Sequence, residues 1–372
     1  MANFSFSLPF FKKNSLLSID IGFRNIKVTE VEIERDGKIF IDNFGIAATP
    51  KGCIKNGAIK DVSKITEEIR KVIEEHHMKA KKAKIVMSGT NIISRVLMID
   101  NVPDLKDEHA FKSLIYQYIP INTGEYQINW KVLQTIKEGS VEKAKIFVTA
   151  AHKSIIKSYV DVLAGLRLTP VSIDIPANST AKFFNRDIQV NESLTWFKQQ
   201  KLSKAVDDTF AVLDFGSETT IINILRDKVL EFNKVVLIGS SNLDTVLANS
   251  LGMSESEAER IKRMYGMDKS KADISSEHEA IYLTVKGKID EIVKQIIQCF
   301  EFYEKRCFGS KVGKIYIIGG GSMLKGLREY LEESLHIPVF PVGLLSIDGI
   351  ELNPKLDADK INFFINSVGI TL

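Results

Sequence analysis

The chain has few cysteines and histidines, and this scarcity argues against several classes of protein. Three cysteines among 372 residues, at Cys53, Cys299 and Cys307, form no Cys-x-x-Cys pair, so neither a disulfide framework nor a cysteine zinc site is indicated. The six histidines show no metal-ligand spacing. Such cysteine usage is typical of reduced thiols in a cytoplasmic protein. A formal net charge of only +3 argues against nucleic acid as a partner.

Long apolar runs are also absent, since none approaches the roughly 18–20 residues that a membrane-spanning helix needs. Phenylalanines recur in residues 1–15 ahead of a lysine pair, at Phe4, Phe6, Phe10 and Phe11. A signal peptide has the opposite order, with its positive charge first. Two interpretations of this leader stay open. It is either an interfacial membrane anchor, or a segment that is disordered or packed on the protein surface, which Pro9 favours because it interrupts a helix.

The chain does contain a strand–Asp-x-Gly–strand pattern that occurs twice. The copies span residues 16–32 and 210–225, each with an apolar strand on either side of the turn. A carboxylate at a strand end beside a glycine suits a metal-bound phosphate, because glycine lets backbone N–H groups approach the oxygens closely. The positions concerned are Asp20 and Gly22 in the first copy, and Asp214 and Gly216 in the second.

A third element, which begins at Lys314, joins an apolar strand, the triple glycine 319–321 and an amphipathic helix pattern. Together the three elements resemble the nucleotide motifs of the actin-like ATPase superfamily. Within it, the chain resembles the PilM family of type IV pilus assembly proteins, with FtsA as a near relative. The resemblance covers nearly the whole chain and extends to residues 102–133, 164–184 and 251–266.

The resemblance implies an α/β protein with the actin-like ATPase fold. Two duplicated domains surround a nucleotide cleft, and a subdomain of the FtsA and PilM type, named 1C, is inserted into the first. The implied division is a leader at 1–15, the first part of subdomain 1A at 16–88, subdomain 1C at 89–143, the second part of 1A with a linker at 144–208, the first part of subdomain 2A at 209–238, subdomain 2B at 239–310, and the second part of 2A with a C-terminal helix at 311–372.

Local patterns within this division predict particular elements. Ser254 followed by Glu257 forms a capping box, which predicts the start of a helix. We expect residues 145–150 to return from subdomain 1C to the main sheet. We also expect a partly helical linker at 185–208 and a final helix at 361–368.

The resemblance also implies the chemistry of the site. Asp20 and Asp214 would converge on one Mg²⁺, since this ion is usually held by one or two carboxylates together with nucleotide phosphates. The glycines open the backbone to phosphate oxygens, and a helix N-terminus after the triple glycine favours an anion. The predicted ATP-binding residues are Asp20, Gly22, Phe23, Arg24, Asn25, Lys27, Asp214, Gly216, Ser217, Glu218, Thr219, Glu259, Lys262, Gly319, Gly320, Gly321 and Ser322.

Several of these residues have a second interpretation. Lys27 matches the phosphate-contacting lysine of the superfamily, or it is an exposed strand lysine. Glu259 and Lys262 resemble the pair that frames the ribose, or they form a surface ion pair at a spacing of three. Phe23 and Arg24 stand where related chains carry small hydroxyl residues, so either Arg24 contacts phosphate or the loop is degenerate.

The sequence indicates ATP binding more clearly than ATP hydrolysis. Asp174 is the only candidate that we name for a base that activates water, and it could equally cap a strand end. We therefore expect ATP binding with at most slow hydrolysis.

The resemblance implies an assembly factor at the cytoplasmic face of the inner membrane. There, the N-terminal peptide of a PilN-type membrane protein would dock in a groove of the first domain near subdomain 1C, and this partner would supply most of the membrane association. Assembly into a homo-oligomer stays open. The alternatives are a filament-forming membrane adaptor of the FtsA type and a kinase of the sugar-kinase branch. The tail at 361–372 lacks the basic face of an FtsA-type membrane helix, and a kinase needs a positioned catalytic aspartate.

Overall fold

The computed structural model describes residues 14–100, 107–119, 121–122, 124–138, 141–190, 208–272, 275–307, 309–342 and 345–372. Residues 1–13 of the predicted leader and residues 191–207 of the predicted linker at 185–208 lie outside the described residues.

The elements follow in chain order. Those of the first half are β1 (Asn14–Ile21), β2 (Asn25–Ile33), β3 (Ile39–Ala48), β4 (Ile54–Lys55), β5 (Ala58–Ile59), α1 (Val62–Glu75), β6 (Lys82–Met87), β7 (Ile93–Asp100), α2 (Glu108–Tyr118), β8 (Tyr126–Glu138), β9 (Val141–His152), α3 (Lys153–Gly165), β10 (Thr169–Asp174), α4 (Pro176–Phe184) and β11 (Ile188–Val190). Those of the second half are β12 (Thr209–Phe215), β13 (Thr220–Arg226), β14 (Val229–Val236), α5 (Ser240–Leu251), α6 (Glu255–Tyr265), α7 (Lys269–Ala272), α8 (Ser276–Arg306), β15 (Lys314–Ile318), α9 (Leu327–Leu335), β16 (Val339–Pro341), β17 (Leu345–Ile347), β18 (Ile350–Leu352) and α10 (Ile365–Gly369), with 3₁₀ turns at Gly320–Met323 and Ala358–Phe363.

The first sheet has the strand order β10-β6-β1-β2-β3-β18. β1 pairs antiparallel with β2 and parallel with β6, so the first Asp-x-Gly hairpin lies in the middle of the sheet. Leu17 and Ile19 on one face of β1, and Ser18 on the other, are fully buried. β1 is therefore covered on both of its faces, as is usual for a strand in the middle of a sheet with parallel pairing.

A late segment of the chain completes this first sheet. β18 pairs in parallel with β3, and α10 packs against β1, β2 and α4. Phe364, Ile365 and Val368 are buried in the core of the first sheet, which explains why this segment leaves the second sheet. The implied division had grouped it with subdomain 2A as part of 311–372. The predicted final helix is divided into a 3₁₀ turn and the short α10.

A separate sheet with the order β7-β9-β8 forms the inserted unit, which we call subdomain 1C. The prediction that residues 145–150 return to the main sheet is wrong. They belong to β9, which pairs antiparallel with both β7 and β8. The physical reason is burial, because Ile146 and Val148 pack with Phe111 and Ile115 of α2 in a core of their own.

The second sheet has the order β14-β13-β12-β15-β16 and repeats the plan of the first. An antiparallel hairpin, β12 with β13, again lies beside a parallel strand, here β15. The predicted capping box is confirmed at the start of α6, where Ser254 Oγ accepts a hydrogen bond from Glu257 N and Glu257 Oε2 accepts one from Ser254 N. Among the described helices, even the long α8 does not combine the length and apolarity that a bilayer span requires.

Candidate functional site

A cleft of about 430 Å³ lies between the two hairpins. Its walls come from both Asp-x-Gly turns, from α5 and α6, and from the glycines that follow β15. Fifteen of the seventeen predicted ATP-binding residues thus share one cavity: Asp20, Gly22, Phe23, Arg24, Asn25, Lys27, Asp214, Gly216, Ser217, Thr219, Glu259, Lys262, Gly319, Gly320 and Gly321 line it.

The first hairpin holds a buried ion pair at the floor of the cleft. Asp20 and Lys27 face each other in the β1–β2 register, and Lys27 Nζ donates to Asp20 Oδ2 at 2.7 Å. The Lys27 side chain is only 15% exposed, so the interpretation as an exposed strand lysine is wrong. Burial acts to lower the pKa of Lys27, but the nearby carboxylates Asp20 and Asp214 outweigh it and the pKa is raised. The ammonium therefore stays charged between two carboxylates.

The second hairpin has the same turn but a different partner for its carboxylate. Gly216 N donates to Thr219 O at 2.9 Å, as Gly22 N does to Asn25 O at 3.0 Å in the first hairpin. Asp214 Oδ2 accepts a hydrogen bond of 2.8 Å from Asn366 Nδ2. Burial raises the pKa of Asp214, against the opposing effects of Asn366 and Lys27.

The N-terminus of α5 is tied to the second turn by backbone hydrogen bonds. Ser240 N donates to Gly216 O at 3.0 Å, and Ser241 N donates to Ser217 O at 2.8 Å. A Cβ at Gly239 would lie 2.3 Å from Ser217 O, so only glycine permits this approach. The carbonyl groups of the second turn are thereby held by α5. Glu218, at the tip of the turn, is exposed and does not line the cleft.

The triple glycine allows close packing against Asp214. Gly319 has φ +82°, and a Cβ there would lie 2.3 Å from Asp214 Oδ1. The chain continues into the 3₁₀ turn and not directly into a helix as predicted, and α9 begins only after Gly326, which also has positive φ. Ser322 is turned away from the cleft lining, since its hydroxyl donates to Gly319 O at 2.7 Å and accepts from Asn362 Nδ2 at 2.8 Å.

On α6, Glu259 and Lys262 both line the cleft but have different partners. Glu259 pairs with Arg263 on its own helix at 2.7 Å and with Arg24 of the first turn. Lys262 is buried, where its Nζ donates to Ser240 O at 2.7 Å and pairs with Asp244 at 2.7 Å. Burial lowers the pKa of Lys262. The two residues are therefore not a surface ion pair with each other, and Arg24 joins the two halves across the cleft.

Asp174 lies outside the lining of this cleft, so its position gives no support to the predicted role as the base for water. Its carboxylate accepts hydrogen bonds from Ile175 N at 2.8 Å and from Asn178 Nδ2, and Lys182 Nζ donates to it at 2.8 Å. This is the strand-end cap that the sequence left open as the alternative. The same side chain faces a second cavity.

The second cavity, also about 430 Å³, lies between subdomain 1C and the first sheet. β8 and β9 contribute Trp130, Lys131 and Phe147, while β10 and α4 contribute Asp174 and Lys182. It therefore combines aromatic surface with charges of both signs. Met87, Ile92 and Ile175 line both cavities and form their common wall.

Asn366 is one of the cleft residues that sequence reasoning missed. It comes from α10, far along the chain, yet it contacts a carboxylate of the second hairpin. A signal was present, because Asn362 and Asn366 are two amides one helical turn apart in an otherwise apolar segment. Buried amides of this kind need partners, so their spacing points to polar contacts inside the fold.

The residues present fit a Mg²⁺ ion. Asp20 and Asp214 are both buried and offer hard oxygen ligands to one cleft. Within the described ranges, no group of three or more His, Cys, Asp and Glu side chains could hold a metal by itself. Phosphate oxygens and water would therefore have to complete the coordination, as is usual for this ion.

Comparisons with known proteins identify the family and the fold of the chain. The family model for the type IV pilus assembly protein PilM matches residues 18–368. The cell division protein FtsA of Bacillus subtilis (strain 168) is 22% identical over 288 residues, which cover 73% of this chain and 62% of FtsA. The chain thus spans less than two thirds of FtsA.

Solved structures show the same fold. A PilM-PilN type IV pilus biogenesis complex matches with a TM-score of 0.76 at 21% identity, over 96% of this chain and 97% of that one. The ethanolamine utilization protein EutJ of Carboxydothermus hydrogenoformans matches with a TM-score of 0.54 at 14% identity, over 97% and 90%. MreB5 of Spiroplasma citri, bound to AMPPNP, matches with a TM-score of 0.51 at 10% identity, over 96% and 94%. The chain has the actin-like ATPase fold and belongs to the PilM family of type IV pilus assembly proteins.

Proposed function

We propose that this protein is a nucleotide-binding assembly factor of the type IV pilus, which binds Mg²⁺ with ATP in the cleft and a PilN-type membrane protein through its first domain. The observation that carries the proposal is the meeting of Asp20 and Asp214, from duplicated hairpins, at one cleft in a chain of the PilM family. Support for the nucleotide also comes from the related fold of MreB5 bound to AMPPNP.

The roles in the cleft follow from its charges and turns. Asp20 and Asp214 would hold Mg²⁺, whose charge would neutralise the phosphate oxygens. Lys27 supplies a further positive charge beside them, and the glycines of both turns let backbone N–H groups approach the phosphates. Glu259 and Lys262 lie on the wall where the ribose would bind. Because Asp174 faces the other cavity, the proposal is limited to binding and does not extend to hydrolysis.

The second cavity suits a peptide. Trp130 and Phe147 offer apolar surface, while Lys131, Asp174 and Lys182 offer polar contacts that can fix the orientation of a ligand. The solved relative is a complex of PilM with PilN, and we propose that the N-terminal peptide of a PilN-type protein occupies this cavity. Such a partner would hold the protein at the cytoplasmic face of the inner membrane.

Calorimetric titration of the purified protein with ATP and Mg²⁺ tests the proposal that the cleft binds nucleotide. We expect saturable binding in the wild type and loss of the Mg²⁺-dependent part in Asp20→Asn and Asp214→Asn. Asp161→Asn is the matched control, because Asp161 pairs with Lys157 on the surface of α3, away from both cavities. Absence of wild-type binding at millimolar ATP would overturn this half of the proposal.

Affinity purification from detergent-solubilised membranes of the source cells tests the proposal that the protein binds a PilN-type membrane protein. The tagged wild-type chain should retain a protein with one membrane span and a short N-terminal segment, identified by mass spectrometry. Trp130→Ala removes the largest side chain that lines the second cavity. It should therefore reduce the amount of membrane protein recovered, while ATP binding persists. Unchanged recovery with this variant would argue against the second cavity as the docking site.

A further inference from the structure

A chain of hydrogen bonds joins the first half of the fold to the carboxylate of Asp214. Asn366 Nδ2 donates to Asp214 Oδ2 at 2.8 Å, and Thr180 Oγ1 donates to Asn366 Oδ1 at 2.9 Å. All three residues are buried, with Thr180 only 1% exposed. Of these, Asp214 and Asn366 line the cleft. The three side chains therefore form two consecutive hydrogen bonds that end at the floor of the cleft.

The chemistry of the three groups allows one arrangement of the amide. An ionised carboxylate only accepts hydrogen bonds, so Asn366 must turn its NH₂ toward Asp214. Its carbonyl oxygen then faces Thr180, whose hydroxyl can donate. Thr180 thereby fixes the orientation of the amide, and the amide fixes the orientation of the carboxylate.

Asn366 is held on the body of the first half. α10 packs against α4, β1 and β2. The neighbouring Ser367 shares a hydrogen bond of 2.8 Å with Thr29 of β2, and a Cβ at Gly369 would lie 2.0 Å from Ser179 O. Asp214 belongs to the second half, where its other oxygen, Oδ1, lies against the backbone of Gly319. Each oxygen of this carboxylate thus has a defined neighbour from a different half of the protein.

We propose that Asn366 is a positioning residue that orients the Asp214 carboxylate toward the Mg²⁺ of bound nucleotide, with Thr180 holding the amide. The inference rests on the proposed function, since it concerns the metal-dependent part of nucleotide binding. Without the amide, Oδ2 loses its neutral donor, and the charge of the Lys27 ammonium, which already acts on this carboxylate, can draw it instead. A carboxylate turned toward Lys27 binds the metal less well. Groups that orient metal ligands typically change metal affinity by about 10- to 100-fold when removed.

Titration of a fluorescent ATP analogue (N-methylanthraniloyl-ATP) tests the inference, first with increasing Mg²⁺ and then in excess EDTA. For Asn366→Ala we expect the Mg²⁺ concentration at half-saturation to rise by about tenfold or more, with affinity in EDTA unchanged. Thr180→Val should raise the same midpoint by less, because the amide remains but is free to turn. Thr180→Ser keeps the hydroxyl and should restore wild-type behaviour.

Asn362→Ala is the matched control, since this buried amide lies one turn earlier and bonds Ser322 away from the cleft lining. It should lower the melting temperature without moving the Mg²⁺ midpoint. If Asn366→Ala instead lowered affinity equally with Mg²⁺ and in EDTA, the residue would be merely structural and the inference would fail. If the wild type binds nucleotide but Asn366→Ala leaves the Mg²⁺ concentration at half-saturation unchanged, the inference about Asn366 fails while the proposed function stands. Absence of wild-type binding would overturn the proposed function, and this inference with it.

Discussion

The two Asp-x-Gly hairpins share a backbone but differ in the group that faces each carboxylate. In the first, Lys27 stands opposite Asp20 in the strand register and pairs with it at 2.7 Å. In the second, the residue opposite Asp214 is Ile221, so the strand offers no cation, and Asn366 provides a neutral amide from α10. The two hairpins therefore share the same turn. The partner of the carboxylate comes from the next strand in the first hairpin and from a distant segment of the chain in the second.

The turns also differ in how they contact the second half. The first turn reaches α6 through a side chain, since Arg24 pairs with Glu259. The second turn is joined to α5 by backbone N–H groups of Ser240 and Ser241. A side-chain ion pair at a partly exposed position is weak and sensitive to salt, whereas backbone hydrogen bonds are insensitive to side-chain substitution. The first turn is therefore the more easily detached of the two.

The largest effect is expected from removing the cation of the first hairpin. Lys27→Met leaves Asp20 buried without its partner and close to Asp214, which should lower the free energy of unfolding by about 3–5 kcal/mol. Denaturant unfolding at neutral pH measures this. Lys38→Met is the control, because the Lys38 side chain is 52% exposed and pairs with the exposed Asp36. Equal stability of the two variants would refute a structural role for the Lys27 pair.

A glycine beside the second carboxylate should give the next largest effect. At Gly319, alanine combines a backbone conformation (φ +82°, ψ +169°) that is essentially restricted to glycine, at a cost of about 1–3 kcal/mol, with overlap against Asp214 Oδ1. Gly319→Ala should therefore lose more stability than Gly37→Ala, where φ is +85° but the added Cβ meets nothing within 4 Å. Only Gly319→Ala should also weaken Mg²⁺-dependent ATP binding. Thermal unfolding and the fluorescent nucleotide titration separate these outcomes.

A lysine introduced into the second hairpin should make the two hairpins more alike. Ile221→Lys places a lysine opposite Asp214, in the register position that Lys27 occupies in the first hairpin. Asn366→Ala should then cost less stability in this background than in the wild type, because the new ammonium satisfies the carboxylate. A double-mutant cycle should give a coupling of about 0.5–3 kcal/mol. Simple additivity of the two changes would show that the groups do not substitute for each other.

The smallest effect is expected at the Arg24–Glu259 contact. Arg24→Ala should reduce stability by about 0.2–1 kcal/mol at low salt and by less at high salt, because the pair is screened. Arg263→Ala removes the other partner of Glu259 but stays within α6, so it serves as the control for a contact that does not cross the cleft. If nucleotide dissociates faster from the Arg24 variant alone, the contact across the cleft retards release.

Much of the site was predictable because its signals are local. Asp20 and Gly22, like Asp214 and Gly216, belong to single hairpins whose strands are adjacent in sequence, so turn chemistry and apolar alternation suffice to locate them. The capping box at Ser254 is equally local. These are features that short stretches of sequence determine by themselves.

The rest depended on contacts between distant parts of the chain. β9 was assigned to the wrong sheet, because an alternating strand does not reveal which neighbours it pairs with. Asp174 was the only candidate named for a base, yet its carboxylate accepts hydrogen bonds from Asn178 and Lys182. Asn366 was missed because its partner lies 152 positions earlier in the chain.

The parallel pairing of β18 with β3 has a consequence for the order in which this protein is made. The ribosome completes β1, β2 and β3 early, but β18 and α10 emerge only after the whole second half. Until then a nascent chain exposes the unpaired edge of β3 and the apolar surface that Phe364 and Val368 later cover. The half that is synthesised first is thus the last to be finished. Truncation after residue 349 should therefore destabilise this early half, while the face of the second sheet that packs against α5 and α8 keeps a core of its own.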